Sequence, residues 1–120
     1  MSEQIRYDDF AKLEIRVGTV VSAELVPDTD KLIKCSVDFG AFGTRIIVSG
    51  IAKRPAGGGS APGGKKPEEL IGRQFPYVVN LEPRMIRGIE SQGMILAIKT
   101  QEGISLLNPD TSVEPGAPIS

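Results

Sequence analysis

A chain of 120 residues with 14 Lys+Arg, 15 Asp+Glu, no His, one Cys and no Trp is sized for a single domain. The lack of His removes Ser-His-Asp triads and His-ligated zinc. One Cys permits neither an internal disulfide nor a thiolate cluster, which points to a reducing, cytoplasmic compartment. An apolar content of 40% sustains a core, and 5% aromatics makes that core aliphatic. No apolar run approaches the ~18 residues of a membrane span, and no signal-peptide pattern opens the chain. The net charge of -1 argues at first sight against a nucleic-acid binder. The charge is unevenly placed, however: residues 1–44 sum to -3, residues 45–99 to +5 and residues 100–120 to -3. A basic middle segment presents a basic face once folded, unless these are ordinary solvated charges.

Residues 7–13 suit a short helix capped by Asp8 or Asp9, with Phe10 and Leu13 on one side. From Ile15 to Val26 the apolar residues alternate, as in one long strand. Gly18 inside it signals a bulge or bend. Pro27-Asp28-Thr29-Asp30 breaks the run as a turn. A second strand turns Ile33, Cys35, Val37 and Phe39 to one face, and Arg45 to Val48 forms a third. Residues 55–66 form a Gly/Pro-rich insertion, a natural loop or an engineered scar, within a single domain spanning 1–120. Pro67-Glu68-Glu69-Leu70 reads as one helical turn, with proline and acids where a helix begins. Residues 75–81 form a fourth strand and residues 94–98 a fifth, with residues 103–107 pairing back through a Gln101-Glu102 turn. Five to six short strands, the longest first, with a helical turn between the third and fourth, predict an all-β oligonucleotide-binding (OB) barrel, five strands on a Greek-key path. A β-sandwich, which usually needs about seven strands, is the alternative.

No enzymatic constellation is visible. Asp8-Asp9 and Glu68-Glu69 fit helix starts better than acid–base pairs. Cys35 alternates inward as a small apolar residue, and Gly57-Gly58-Gly59 lacks the context of a phosphate loop. No cofactor or metal is expected. The informative stretch joins strands four and five through 12 residues, 82–93. Its Arg84 and Arg87, near Asn80, Ser91 and Gln92, offer hydrogen bonds to phosphates and base edges. In an OB barrel this connection flanks the binding face. Arginine pairs also occur on ordinary surfaces, so both readings stand at this point.

Asp9-Phe10-Ala11-Lys12-Leu13-Glu14-Ile15-Arg16-Val17-Gly18, Asp30-Lys31-Leu32, Ile47-Val48-Ser49-Gly50-Ile51 and Pro67-Glu68-Glu69-Leu70-Ile71-Gly72 follow one another in order. Asn80-Leu81-Glu82-Pro83-Arg84 and Ser91-Gln92-Gly93-Met94 complete the series. Together they resemble the tRNA-binding domain appended to methionyl-tRNA synthetases and found also as a free-standing tRNA-binding protein. Leu106-Leu107-Asn108-Pro109-Asp110 and Val113-Glu114-Pro115-Gly116 fit its closing segment. The resemblance implies an OB fold that binds tRNA by shape and backbone. It would act as an auxiliary module or beta subunit of a synthetase, or alone, without catalysis of its own. The family motif falls on Asn80, Arg84, Arg87, Ser91 and Met94, and Lys31, Arg45 and Lys53 are expected to border the same face. Arg84 and Arg87 would bridge phosphates, Asn80 and Ser91 would orient on sugar or base edges, and Met94 would be either core or a contact to a nucleoside.

The resemblance also implies a homodimer, in which two faces raise the effective concentration. Phe10, Leu13 and the Ala117-Pro118-Ile119 tail either form its surface or pack on their own barrel. Three departures from the family pattern are visible: Val26 where relatives often carry His, Met85 where a second base is common, and the insertion after Arg54. Two other readings compete: an export-related peptide-binding chaperone of the same barrel family, and a structural subunit that recruits a synthetase.

Overall fold

The computed structural model describes residues 2–29, 31–52, 64–101 and 103–120. A short helix α1 (Tyr7–Ala11) leads into strands β1 (Ile15–Leu25), β2 (Ile33–Asp38) and β3 (Thr44–Ser49). A 3-10 turn at Pro67–Glu69 precedes β4 (Gln74–Val78). Then come β5 (Arg84–Ile86), β6 (Ile89–Ser91), β7 (Met94–Ile95), β8 (Ala97–Thr100), β9 (Gly103–Leu106) and β10 (Pro118–Ile119). The main sheet runs β3-β2-β1-β4-β7, with β10 added to the start of β1. It curls into a nearly closed five-strand antiparallel barrel. The OB-type barrel and the helical turn between the third and fourth strands are as the sequence predicts.

Alternation in β2 fills the barrel: Ile33, Cys35 and Val37, with Phe39 just beyond, are all buried. They meet Val20, Ile47, Leu70, Phe75 and Tyr77 in one core. The ring of Tyr77 stands edge-on to that of Phe39 at 5.4 Å. Burial pushes the Cys35 thiol up to about 11, so it stays protonated at neutral pH as a core residue. Burial, with Cys35 adding to it, pushes the Tyr77 phenol well above its ordinary range.

Several expectations needed correction. The irregularity in β1 lies between Val20 and Ser22, not at Gly18. Gly18 instead permits close approach, because a Cβ there would stand 2.4 Å from Val37 Cγ1. The fourth strand ends at Val78 rather than 81, since Val79 donates its N–H to the Glu14 carbonyl instead. The fifth strand is broken: β7 pairs with β4, and β8 pairs with β9. At the break, Leu96 donates to the Pro76 carbonyl at 3.0 Å. Helix α1 stops at Ala11 and is preceded by Arg6, whose N–H is accepted by the Asp9 carboxylate at 3.4 Å. No residue of α1 is buried, and Phe10 and Leu13 are both exposed.

The insertion lies largely outside the described residues, as do Lys53 and Arg54. Its flanks meet in an isolated parallel bridge between Ala52 and Lys65. There Lys65 donates to the Ile51 carbonyl at 2.7 Å.

Candidate nucleic-acid interface

The barrel closes between β3 and the segment around β6 by an unusual route. Instead of a continuous ladder, side chains complete the seam. Ser91 Oγ accepts the Val48 N–H at 3.0 Å and donates to the Gly93 carbonyl at 3.2 Å. The Gln92 side-chain carbonyl accepts the Ile46 N–H at 3.0 Å, while its backbone N–H donates to the Ile46 carbonyl at 2.8 Å. Arg45 Nη1 donates to the carbonyls of Val79 at 2.5 Å and Gln92 at 3.3 Å. The seam thus fixes the base of the strand-four-to-five connection to the barrel wall.

From that base rises a β5–β6 hairpin, pairing Arg84 with Ser91, Met85 with Glu90 and Ile86 with Ile89. Arg87 and Gly88 at its tip have φ of 51° and 81°, the sign pattern of a type I′ turn. The 12-residue connection between strands four and five is thus itself a two-stranded element. Its polarity hid the strand alternation, and Arg-Gly is not among the dipeptides that announce a two-residue hairpin turn, because Arg rarely takes a positive φ. Alternation puts Arg84 and Ile86 on the side of buried Ser91, facing a groove. Met85 goes to the outer side, 68% exposed. Among the described residues none is hydrogen-bonded to or ion-paired with the Arg84 or Arg87 side chains, and both residues are exposed.

The expected site residues therefore separate. Arg84, Met94 and the hairpin are brought together along the groove. Lys31 joins them, its stem passing within 3.8 Å of where a Gly50 Cβ would stand. Ser91 and Arg45 hold the base of the hairpin through the seam, whereas Asn80 is exposed and bonds to the segment that follows α1. Asn80 Oδ1 accepts the Glu14 N–H at 2.8 Å and its Nδ2 donates to the Lys12 carbonyl at 2.6 Å, tying the α1 segment to the barrel. Ser91 is only 4% exposed, and its hydroxyl is engaged on both sides. Lys53 lies outside the described residues. Met94 is partly exposed and lines the groove. Lys99, on β8, also lines it; sequence reasoning missed it because the fifth strand was taken to end at 98. The described residues contain no group of three or more His, Cys, Asp and Glu able to hold a metal. None of their helices is long and apolar enough to cross a membrane.

Residues 15–118 match the family model described as "Putative tRNA binding domain". The chain belongs to this family. It is 44% identical over 120 residues to a methionine–tRNA ligase of Porphyromonas gingivalis. That alignment covers 99% of this chain and 16% of the ligase, so the chain spans about a sixth of the length of the curated relatives it matches. Among solved structures it is similar to a MetRS-related protein from Pyrococcus horikoshii, with a TM-score of 0.83 and 38% identity, covering 99% of this chain and 100% of that one. It is also similar to the chaperone CsaA from Bacillus anthracis, with a TM-score of 0.81 and 31% identity, covering 98% and 100%.

Proposed function

We propose that this chain binds tRNA through the face formed by the β5–β6 hairpin and Lys31, recognising the shape and backbone of the folded RNA. The observation that carries the reading is a pair of exposed arginines, Arg84 and Arg87, without a partner among the described residues, on a hairpin pinned to the barrel by Ser91. Such cations bind phosphates strongly because little protein–protein bonding must be broken first. Arg84 and Arg87 take phosphates, Met94 contacts a nucleoside, and Asn80, Ser91 and Arg45 position the surface. Residues 1–120 act as one domain, with 55–66 an insertion within it. The domain serves in the cytoplasm as a non-catalytic module or beta subunit of a methionyl-tRNA synthetase, or as a free-standing binder. A filter titration tests this: tRNA should bind more tightly than duplex DNA of equal length and weaken as salt rises. Equal binding of both, or of neither, rejects the reading.

The protein works as a homodimer in this reading, supported by exposed Phe10 of α1, exposed Leu13 just after it and exposed Ile119 of β10. Ile119 borders an apolar groove with Ile15, Val17, Pro76, Leu96 and Leu107. The solution mass should be twice 12.8 kDa; a monomer at micromolar concentration rejects the dimer. The likeness to CsaA supports a second reading, a chaperone binding unfolded polypeptide. Displacement of tRNA by unfolded polypeptide, with little tRNA affinity to begin with, would favour it.

A further inference from the structure

Beside the seam bond between Ser91 and Val48, a groove of about 480 Å³ lies between the end of β3 with Gly50 and Ile51 and the β7–β8 run. That volume is within the roughly 300–1,000 Å³ usual for small-molecule sites. Its floor is apolar, made by Leu32, Ile51, Ile86, Met94, Ile95 and Ala97. Among the described residues its charged lining consists of two cations from different elements, Arg84 on β5 and Lys99 on β8, and none of the described carboxylates lines it. Lys31 lies alongside, over Gly50. Ser49 also lines it, and its hydroxyl is bonded to none of the described residues.

We infer that this groove receives one unstacked nucleobase of the bound RNA, with the flanking phosphates held by Arg84 on one side and by Lys99 and Lys31 on the other. The inference rests on the tRNA-binding reading in taking RNA as the ligand. It adds that a nucleotide free of base pairing is required. A nucleotide within a strand is a flat apolar body between two anions, and the groove is an apolar floor between cations. An apolar peptide side chain would use the floor but leave Arg84 and Lys99 unmatched. A stacked duplex offers phosphates but no base able to leave the helix without disrupting it. The Met94 thioether is polarizable and suits contact with an aromatic ring. Ser49 supplies a hydroxyl that can donate to or accept from a base edge. The aromatic residues of the chain lie elsewhere, so this is a single-base pocket rather than a stacking track along a strand.

The test uses the intact protein and three RNA probes. These are a trinucleotide with 2-aminopurine at its centre, the same trinucleotide with an abasic centre, and a tRNA transcript. The base-bearing trinucleotide should bind about fivefold or more tightly than the abasic one, change its fluorescence on binding, and compete with the transcript. Ala97→Phe fills the groove and should remove that preference; its melting curve establishes whether it folds. The two-probe comparison on the unaltered protein decides the matter even where the variant does not fold. Equal binding of the two trinucleotides, with the transcript still bound, overturns the groove assignment and leaves tRNA binding intact. A fluorescence response with no transcript binding supports the groove and rejects tRNA as the partner. A silent trinucleotide together with occupation of the groove by an unfolded peptide overturns the nucleobase in favour of polypeptide.

Discussion

Where β1 crosses β2 and β4, the barrel wall is built from ladders and close-packed carbon: Gly18 leaves no room for a Cβ against Val37 and Phe39, and Phe39 and Tyr77 are fully or almost fully buried. Opposite, where β3 meets the β6–β7 segment, the wall is joined largely through Ser91, Gln92 and Arg45 bonding to backbone. The first side derives its strength from burial and packing, which are insensitive to salt and tolerate no added volume. The second depends on a few hydrogen bonds and presents Arg84 and Arg87 to solvent. A wall joined by side chains can open below the joint, and the groove lies there. Division of labour in this barrel therefore follows the means of closure.

The largest test of the contrast falls on the packed side. Gly18→Ala places a methyl group 2.4 Å from Val37 Cγ1, and overpacking of that order costs about 3 kcal/mol. Thermal unfolding should shift down by roughly 10 °C at this chain length. An unchanged melting temperature would show that β2 moves aside freely and that the packed side is not rigid. Next in size is an alkaline effect from the same core. Burial raises Cys35 from 9.0 to about 11, and it raises Tyr77 in the same direction. A thiol whose folded pKa is raised contributes stability in full below pH 9, because the folded state keeps the proton that the unfolded chain loses above it. The Cys35 share should therefore fall between pH 9 and 11, by about 2 kcal/mol at the upper end. Denaturant titrations at pH 8 and 10.5 measure this, and Cys35→Ala should flatten part of the slope. A slope unchanged in that variant would refute the assignment to Cys35.

On the seam, Ser91→Ala removes the acceptor of the Val48 N–H without adding volume. An unsatisfied buried donor costs about 1.5 kcal/mol. Unlike Gly18→Ala, this change should weaken RNA binding as well, because the hairpin base loosens. Equal loss of stability with RNA affinity intact would separate the seam from the interface.

Legibility in the sequence followed the same division. The packed side was readable because strand alternation and burial are one phenomenon: Ile33, Cys35, Val37 and Phe39 point inward at period two, and they are buried as expected. The barrel class followed from that pattern, the long first strand and the Pro67 turn. Gly18 was recognised as special but assigned the wrong task, since a glycine needed for close approach and one needed for a bulge look alike until the opposing residue is known. The seam was much less readable. The bonds that Asn80, Ser91 and Arg45 make within the protein were not readable, because polar side chains advertise hydrogen bonds without stating their partners. Apart from the bond of Ser91 to Gly93, their partners lie 34 to 68 residues away, beyond the reach of local pattern. Lys99 was missed for a related reason, because the break at Leu96 that turns β8 into the groove wall depends on a bond to Pro76.

The smallest expected effect on stability is the sharpest for function. Arg84→Ala and Arg87→Ala alter exposed side chains that bond to no described residue, so stability should stay within about 0.5 kcal/mol. Each removes one cation from the proposed phosphate-binding face, so the slope of log affinity for tRNA against log salt should shrink by about one. The two positions differ in one respect. Arg84 lines the groove and Arg87 sits at the hairpin tip. Loss of Arg84 should therefore also reduce the preference for a base-bearing over an abasic trinucleotide, because the base is held in place partly through its phosphate. Loss of Arg87 should leave that preference unchanged. Equal effects of the two substitutions on both quantities would mean that hairpin and groove do not act on separate parts of the RNA, and the contrast between seam and opening would lose its functional side.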